Sequence, residues 1–514
     1  MLEIVGKGLP GAGLIYEGRI LHNPKWPVEE ARAHISRVKA EGKGLLLVFG
    51  VGLGYHLREL AEQWPLTRMV AFEPVGEIHQ ACMEMGGLDG LMPERVEIAS
   101  DWSALDETLT REIVHGPHPD PVVFIQPGYA SLFRAQAEAF ERLVQGARLR
   151  RAVEDRTRNE KRGLFLDNLA DNLPFIMTRP LLTALKNRFT NRPGFVVGSG
   201  PGLEKNGRLL SDLHERGLIL AAGSAFKPLR RMGVTPDITV VVEAEDTSGY
   251  LKDVGYAQGR LLALASTAHP HHYSLSGFTP AVFHLTAGPA WLFGTDDFAP
   301  HAGTAGSAAF TLGLLLGLNP LVLVGQDQAY DEGRLHASDT PGDDSAAGDS
   351  GRFRVAGGSD REVATHSGFA ASLHWYAESA GYLRRTAPDR IVLNASESGA
   401  RIPGVPEATL ADVIAGLPSI GDRTSIVSAL DDVENPDPRV VHERLAETWQ
   451  LVGQLASVLR MAPDQAPELI EEVRLNHPFL HEVLPSSGPS GWKALLGAAE
   501  TRLIKMIDRL ERDD

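Results

Sequence analysis

Residues 194–206, Gly-Phe-Val-Val-Gly-Ser-Gly-Pro-Gly-Leu-Glu-Lys-Asn, run from an apolar segment through a glycine turn into a helical stretch. Gly194–Val197 has the length and apolar character of a buried strand. Gly198, Gly200 and Gly202 allow the backbone to turn tightly, and the fixed φ of Pro201 suits entry into a helix. A helix is expected over Gly202–Glu215. At such a junction, backbone N–H groups and the positive end of a helix can approach a phosphate closely. The same spacing also makes a plain strand-to-helix turn with no ligand, and both readings stand at this point.

Outward from this stretch, apolar runs recur at Leu218–Ala222, Ile238–Val242, Leu261–Leu264, Ala281–His284 and Leu321–Val324. Helical patterns separate several of them, at Ala225–Met232 and Ser307–Leu316. Alternation of this kind predicts a doubly wound parallel α/β domain over residues 193–405. A second, Rossmann-like α/β domain is expected over 1–146. There Leu45–Phe49 leads into Gly50, Gly52 and Gly54, a helix over His56–Gln63, a strand over Met69–Phe72 and then Glu73; Pro121–Ile125 adds a further strand. An acid about twenty residues beyond a glycine turn fits a nucleoside site or a scaffold. Residues 147–192 read as a helical connector that opens with Arg148, Arg150, Arg151, Arg156, Arg158, Lys161 and Arg162, the common pattern of a solvated helix face. Residues 406–514 read as a helical C-terminal domain, with helices at Val440–Met461, Pro467–Leu475 and Gly491–Leu510. The polar segment 331–360, rich in Gly, Asp and Ser, has the composition of a lid or a disordered loop.

The 514 residues carry a formal net charge of -16, which argues against binding of nucleic-acid phosphates. The single cysteine, Cys82, permits no disulfide within the chain and suits a reducing compartment. No signal peptide and no membrane-spanning run is apparent, so a cytoplasmic protein is expected.

Polar residues follow several of the expected strands. Ser224 and Glu243 come after the second and third strands of the central domain, as ligand contacts or as helix caps. Thr304 precedes the helix at Ser307–Leu316, whose start is a further anion-binding position. Gly325, Gln326 and Asp327 end the Leu321–Val324 strand, with Tyr330 and His336 just beyond. His366 stands before another helix, as a cap or as a proton acceptor. His269, His271 and His272 form a His-Pro-His-His run, which fits a metal site or a surface loop; the loop is the reading favoured, because proline interrupts regular ligand spacing.

Several of these segments resemble the motility accessory factor (Maf) flagellin glycosyltransferases, which share a domain with archaeal 6-hydroxymethylpterin diphosphokinases. They are VGSGPGLEKN (197–206), AAGSAFKPLRRMGVTPDITVVVEAED (221–246), GTAGSAAFTLGLLLGLNPLVLVGQDQAYDEGRLHA (303–337) and NASESGARIPG (394–404). FGVGLGYHLRELAEQWP (49–65), VAFEP (70–74) and FLDNLADNLPFI (165–176) extend the likeness over about Leu45–Gly404. The central domain is also similar, more faintly, to bacterial sialyltransferases that use a CMP-sugar, with Ala305 standing where those proteins have a serine. The resemblance implies transfer of a pseudaminic or legionaminic type of nonulosonic acid from CMP to flagellin serine or threonine. It implies a donor site of Gly198, Ser199, Gly200, Gly202, Asn206, Ser224, Glu243, Thr304, Gly306 and Gly325, with no metal and no cofactor required. Asp327, Tyr330 and His366 would act in catalysis, with His366 as the base and Tyr330 on the leaving phosphate. Two other functions fit the same residues: a pterin-type pyrophosphokinase using ATP and Mg²⁺, with Glu243 and Asp327 near the metal, and a non-catalytic flagellin-binding module.

Overall fold

The computed structural model describes residues 2–6, 11–40, 43–92, 95–99, 101–114, 120–252, 260–331, 333–338, 340, 352–358, 361–417, 425–484 and 492–511. It parts the chain into two compact units, Met1–Arg156 and Thr157–Asp514. Residues 341–351 of the polar segment expected as a lid lie outside the described residues, as do the side chains of Arg150, Arg156 and Arg158.

The first unit begins with three short antiparallel strands, β1 (Leu2–Val5), β2 (Gly13–Tyr16) and β3 (Arg19–His22). A parallel sheet follows, built from β4 (Leu45–Phe49), β5 (Arg68–Phe72), β6 (Val96–Ala99) and β7 (Val122–Ile125) in the order β6-β5-β4-β7. Strand β4 is buried throughout. Its residues nevertheless alternate: Leu45, Leu47 and Phe49 pack into one core and Leu46 and Val48 into another. Both faces of the sheet are therefore covered, the reason a central parallel strand reads as an unbroken apolar run.

The second unit is organised by seven strands: β8 (Gly194–Val197), β9 (Leu218–Ala222), β10 (Ile238–Val241), β11 (Leu261–Ala265), β12 (Thr279–Phe283), β13 (Leu321–Val324) and, after a hairpin, β16 (Val392–Asn394). Their order is β12-β11-β10-β9-β8-β13-β16, and every pair is parallel. Phe195 and Val197 of β8 face one core, Val196 the other. The hairpin, β14 (Phe353–Ala356) with β15 (Glu362–Thr365), begins inside the segment expected to be lid or loop.

Helices Pro438–Met461, Ala466–Asn476 and Trp492–Glu511 meet the expectation of a helical C-terminus. Their buried residues Val441, Leu445, Leu496 and Leu503 belong to the same core as the central sheet. Ion pairs Arg502–Asp167, Lys505–Asp171 and Arg509–Asp171 tie the last helix to the end of the long helix Arg134–Met177. Among the described residues, no helix is long and apolar enough to cross a membrane.

Candidate functional site

From β8 the chain winds outward through β9 to β12. It then returns to the opposite side of β8 to place β13. The direction of winding reverses between β8 and β13, so their carboxyl ends flank a crevice of the kind where open α/β sheets bind ligands. Gly198–Gly202 leaves β8 and Gly325–Tyr330 leaves β13, as the motif reading requires. Thr304 caps the helix Ala305–Leu316 that packs over these strands. A Cβ on Gly306 would come within 2.6 Å of both amide atoms of Gln326, so the helix start is pressed against the end of β13.

The glycine turn itself is closed off. The Gly198 N–H donates to the Val324 carbonyl (2.9 Å), the Gly200 N–H to the Gly325 carbonyl (2.9 Å), and the Gly202 N–H to Asp327 Oδ2 (2.6 Å). The N–H groups of the three glycines are thus engaged inside the protein, and the acid expected in catalysis holds the turn. Asp327 is 2% exposed, and burial raises its pKa to about 6 against the opposing pull of the Gly202 N–H. Gly399, at φ +79°, lies so close that any side chain there would collide with the Asp327 carbonyl. The Asn206 amide nitrogen donates to the Ala395 carbonyl (2.9 Å) and Glu397 Oε1 (2.8 Å), anchoring the residues that follow β16. Thr304 Oγ1 accepts the Ser307 N–H at 3.2 Å, a helix cap.

Two groups of side chains remain at the crevice. In the first, Ser199 Oγ is 2.9 Å from Ser224 Oγ and 3.2 Å from His336 Nδ1, and the Ala337 N–H donates to the Ser199 carbonyl. In the second, Tyr330 pairs with Ala364 of β15, which sets His366 beside it with ring centroids 6.0 Å apart. The Arg352 guanidinium lies 4.0 Å over the Tyr330 ring. His366 Nδ1 accepts the Gly368 and Phe369 N–H groups at 3.1 and 3.4 Å, capping the helix Ser367–Thr386. Burial, and then the charge of Arg352, lower its pKa. A neutral imidazole whose Nδ1 accepts must carry its proton on Nε2. In this arrangement His366 presents an Nε2–H donor, while its Nδ1 is taken up by the helix start.

Glu243 stands apart from the crevice. It follows β10, three strands from the Asp327 strand β13, or about 14 Å at the usual spacing. Its Oε2 accepts the Val242 N–H at 3.0 Å. Two acids so placed cannot share one metal ion, so the pairing expected for the kinase reading is not present.

Arg352, Ser398 and Gly399 were not singled out from the sequence. The NASESGARIPG segment signals the last two, since a Ser/Gly-rich stretch beyond a short strand marks close backbone approach. Arg352 carries no such signal, because its placement depends on the β14–β15 hairpin.

The first unit's glycine turn is also filled from within. Glu73 Oε2 accepts from the Val51 and Gly52 N–H groups (3.0 and 3.2 Å) and the Tyr129 hydroxyl (2.6 Å). His22 Nε2 accepts the Leu53 N–H at 3.0 Å. Burial raises Glu73 to about 7. Glu73 therefore serves as scaffold here.

A family model described as 6-hydroxymethylpterin diphosphokinase MptE-like matches residues 167–333. The Maf glycosyltransferase from Magnetospirillum magneticum AMB-1 has a similar structure, with a TM-score of 0.58 and 16% identity, over 100% of this chain and 92% of that one. A search of curated proteins finds no match. The resemblance drawn from the sequence, Maf proteins with a segment shared with pterin diphosphokinases, is the one these comparisons return, and the whole chain has the Maf fold.

Proposed function

We propose that this chain is a glycosyltransferase that moves a nonulosonic acid of pseudaminic or legionaminic type from CMP to serine or threonine of flagellin. The observation that carries the reading is the pair of side-chain groups at the β8–β13 crevice: a donor wall of Arg352, His366 and Tyr330, and a hydroxyl–imidazole wall of Ser199, Ser224 and His336. The whole-chain likeness in fold to a Maf glycosyltransferase supports it, while the sugar, the CMP and the flagellin acceptor rest on the sequence resemblance.

The chemistry assigns each wall a task. As the bond between sugar and phosphate breaks, its electron pair goes to the phosphate oxygen, where negative charge grows. The Arg352 cation and the His366 Nε2–H stabilise that charge, and a donor aimed there is worth a few kcal/mol. The acceptor hydroxyl loses its proton to His336. An Nδ1–H donated to Ser199 Oγ fixes the tautomer with Nε2 as the accepting nitrogen, and Ser224 supports Ser199. Backbone N–H groups of the glycine turn take no part.

The MptE-like match favours a second reading, a pyrophosphokinase using ATP and Mg²⁺. Asp327 and Glu243 do not fit a shared metal, and no step is derived through one. Calorimetric titration of the full chain with CMP and with ATP–Mg²⁺ separates the two. CMP binding weakened by Arg352→Ala supports transfer; tight ATP–Mg²⁺ binding with no CMP response overturns it. Intact mass of flagellin from cells with and without the gene then tests the acceptor, and an unchanged mass refutes the finer reading.

A further inference from the structure

The His-Pro-His-His run leaves β11 at the carboxyl edge of the central sheet and belongs to neither wall of the crevice. Its neighbour along that edge is the Glu243–Ser248 segment leaving β10. There Asp246 Oδ2 lies 2.7 Å from His271 Nδ1. One ligand atom each from Asp246, His269 and His271 falls within 4.8 Å of the others. The rings of His269 and His271 meet edge to face with centroids 4.8 Å apart. Two imidazoles and a carboxylate are a donor set for first-row divalent ions.

The backbone beneath these three residues is fixed from several sides. Asn168 Nδ2 donates to the Ala244 and Thr267 carbonyls (2.9 and 3.1 Å), and Asn172 Nδ2 to those of Ser266 and Ala268 (3.1 and 2.8 Å). The His269 N–H donates to the Glu243 carbonyl at 2.9 Å. His272, fully buried, joins the two segments through Thr247 Oγ1 (3.0 Å) and the His269 carbonyl (3.1 Å). Above this frame Asp246 and His271 are exposed; Asp246 Oδ1 accepts the Ser248 N–H at 3.0 Å and His269 Nδ1 the His271 N–H at 3.3 Å, which leaves Asp246 Oδ2 and His269 Nε2 as the ligand atoms on offer from those two residues. A tetrahedral ion about 2.1 Å from each ligand needs its ligands about 3.4 Å apart. Reaching that spacing takes shifts of about an ångström, within the reach of exposed side chains. Anchored backbone with adjustable ligands suits reversible binding and leaves a coordination position open to solvent. Glu245 is held aside by Lys161 at 2.6 Å, so it does not complete the set.

We propose that Asp246, His269 and His271 form an open three-ligand site for a divalent cation of the zinc–cobalt class at the carboxyl edge of β10 and β11. The site is independent of whether the crevice transfers a sugar or a pyrophosphate. The full chain, stripped with chelator, is titrated with Co²⁺ and followed by visible absorption, with Zn²⁺ calorimetry in parallel. One bound equivalent is expected, weakened at least about tenfold by Asp246→Ala or by His271→Ala, because losing a ligand costs no less than losing its supporting partner. His442→Ala, at another exposed histidine, leaves it unchanged. Unaltered melting temperatures in the variants exclude unfolding as the cause. No Co²⁺ spectrum at millimolar metal overturns the proposal, as does undiminished affinity in the His269→Ala/His271→Ala double variant.

Discussion

Replacing Asp327 with asparagine tests the account of the glycine turn. Asparagine keeps the shape and a carbonyl to accept the Gly202 N–H, and it removes the titration. The carboxyl is raised from 3.8 to about 6, chiefly by burial, and the Gly202 N–H, the Lys205 charge and Ser398 only partly offset that. An acid with a raised folded pKa stays protonated in the folded state while the unfolded chain ionises. Its contribution to stability is present below pH 3.8 and is lost as pH rises through about 6. The shift of about two units is worth about 3 kcal/mol at neutral pH. The amide suffers no such loss, so the stability of Asp327→Asn relative to wild type grows by about 3 kcal/mol between about pH 4 and pH 7. For a unit of this size that is about 4 °C in melting temperature. Differential scanning fluorimetry of both proteins in matched buffers across that range reads the effect. The difference between the two curves is the quantity to follow, since it cancels every group they share. A difference that stays level, or that shrinks as pH rises, refutes the argument. It would mean that Asp327 is ionised at little cost and is available for chemistry after all.

Glu73→Gln tests the same reasoning in the first unit: with Glu73 raised from 4.5 to about 7, the variant gains about 3 kcal/mol on wild type between pH 4.5 and 7, read by amide exchange in residues 45–72. Gly306→Ala drives a methyl into the Gln326 amide and is expected to cost about 1–3 kcal/mol, measured by urea denaturation. His366→Asn preserves the cap of the helix Ser367–Thr386, whereas His366→Ala loses about 1 kcal/mol; both lose transfer activity if Nε2–H serves the leaving phosphate. Equal activity in wild type and His366→Asn, assayed at matched stability, removes the donor role.

Much of the fold was legible because buried parallel strands advertise themselves. Leu45–Phe49 and Leu218–Ala222 are apolar on both faces, as a strand covered from both sides must be. Strand β16 and the β14–β15 hairpin were not legible. They are three or four residues long, partly exposed, and take their pairing from β13 and from each other. The first three strands are equally short and lie among glycines and a proline. At the site, the spacing placed Ser199, Ser224 and Tyr330 after strands at the sheet's carboxyl edge, and the family resemblance added His366. It could not reveal how they are used. Whether a glycine N–H faces solvent or an internal acid depends on a residue 125 positions away, as Asp327 is from Gly202. Whether His366 acts as base or donor depends on which nitrogen the helix start engages, a matter of one rotamer.

The two sheets answer the same problem in the same way. A glycine turn at a switch point leaves N–H groups that need acceptors, and each sheet supplies an internal carboxylate: Glu73 for Val51 and Gly52, Asp327 for Gly202. An incoming phosphate at either turn would meet that carboxylate as well as the donors. Two unit charges about 4 Å apart repel by several kcal/mol at the polarity of a protein interior. Burial raises both carboxyls, Asp327 to about 6 and Glu73 to about 7. On the proposed reading, a nucleotide at the β8–β13 crevice is held by side chains standing outside the turn, foremost Arg352 and His366, neither of which belongs to the glycine motif. The glycines here report how tightly two strands and a helix start converge, and the proposed anion contacts are Arg352 and His366 beside Tyr330.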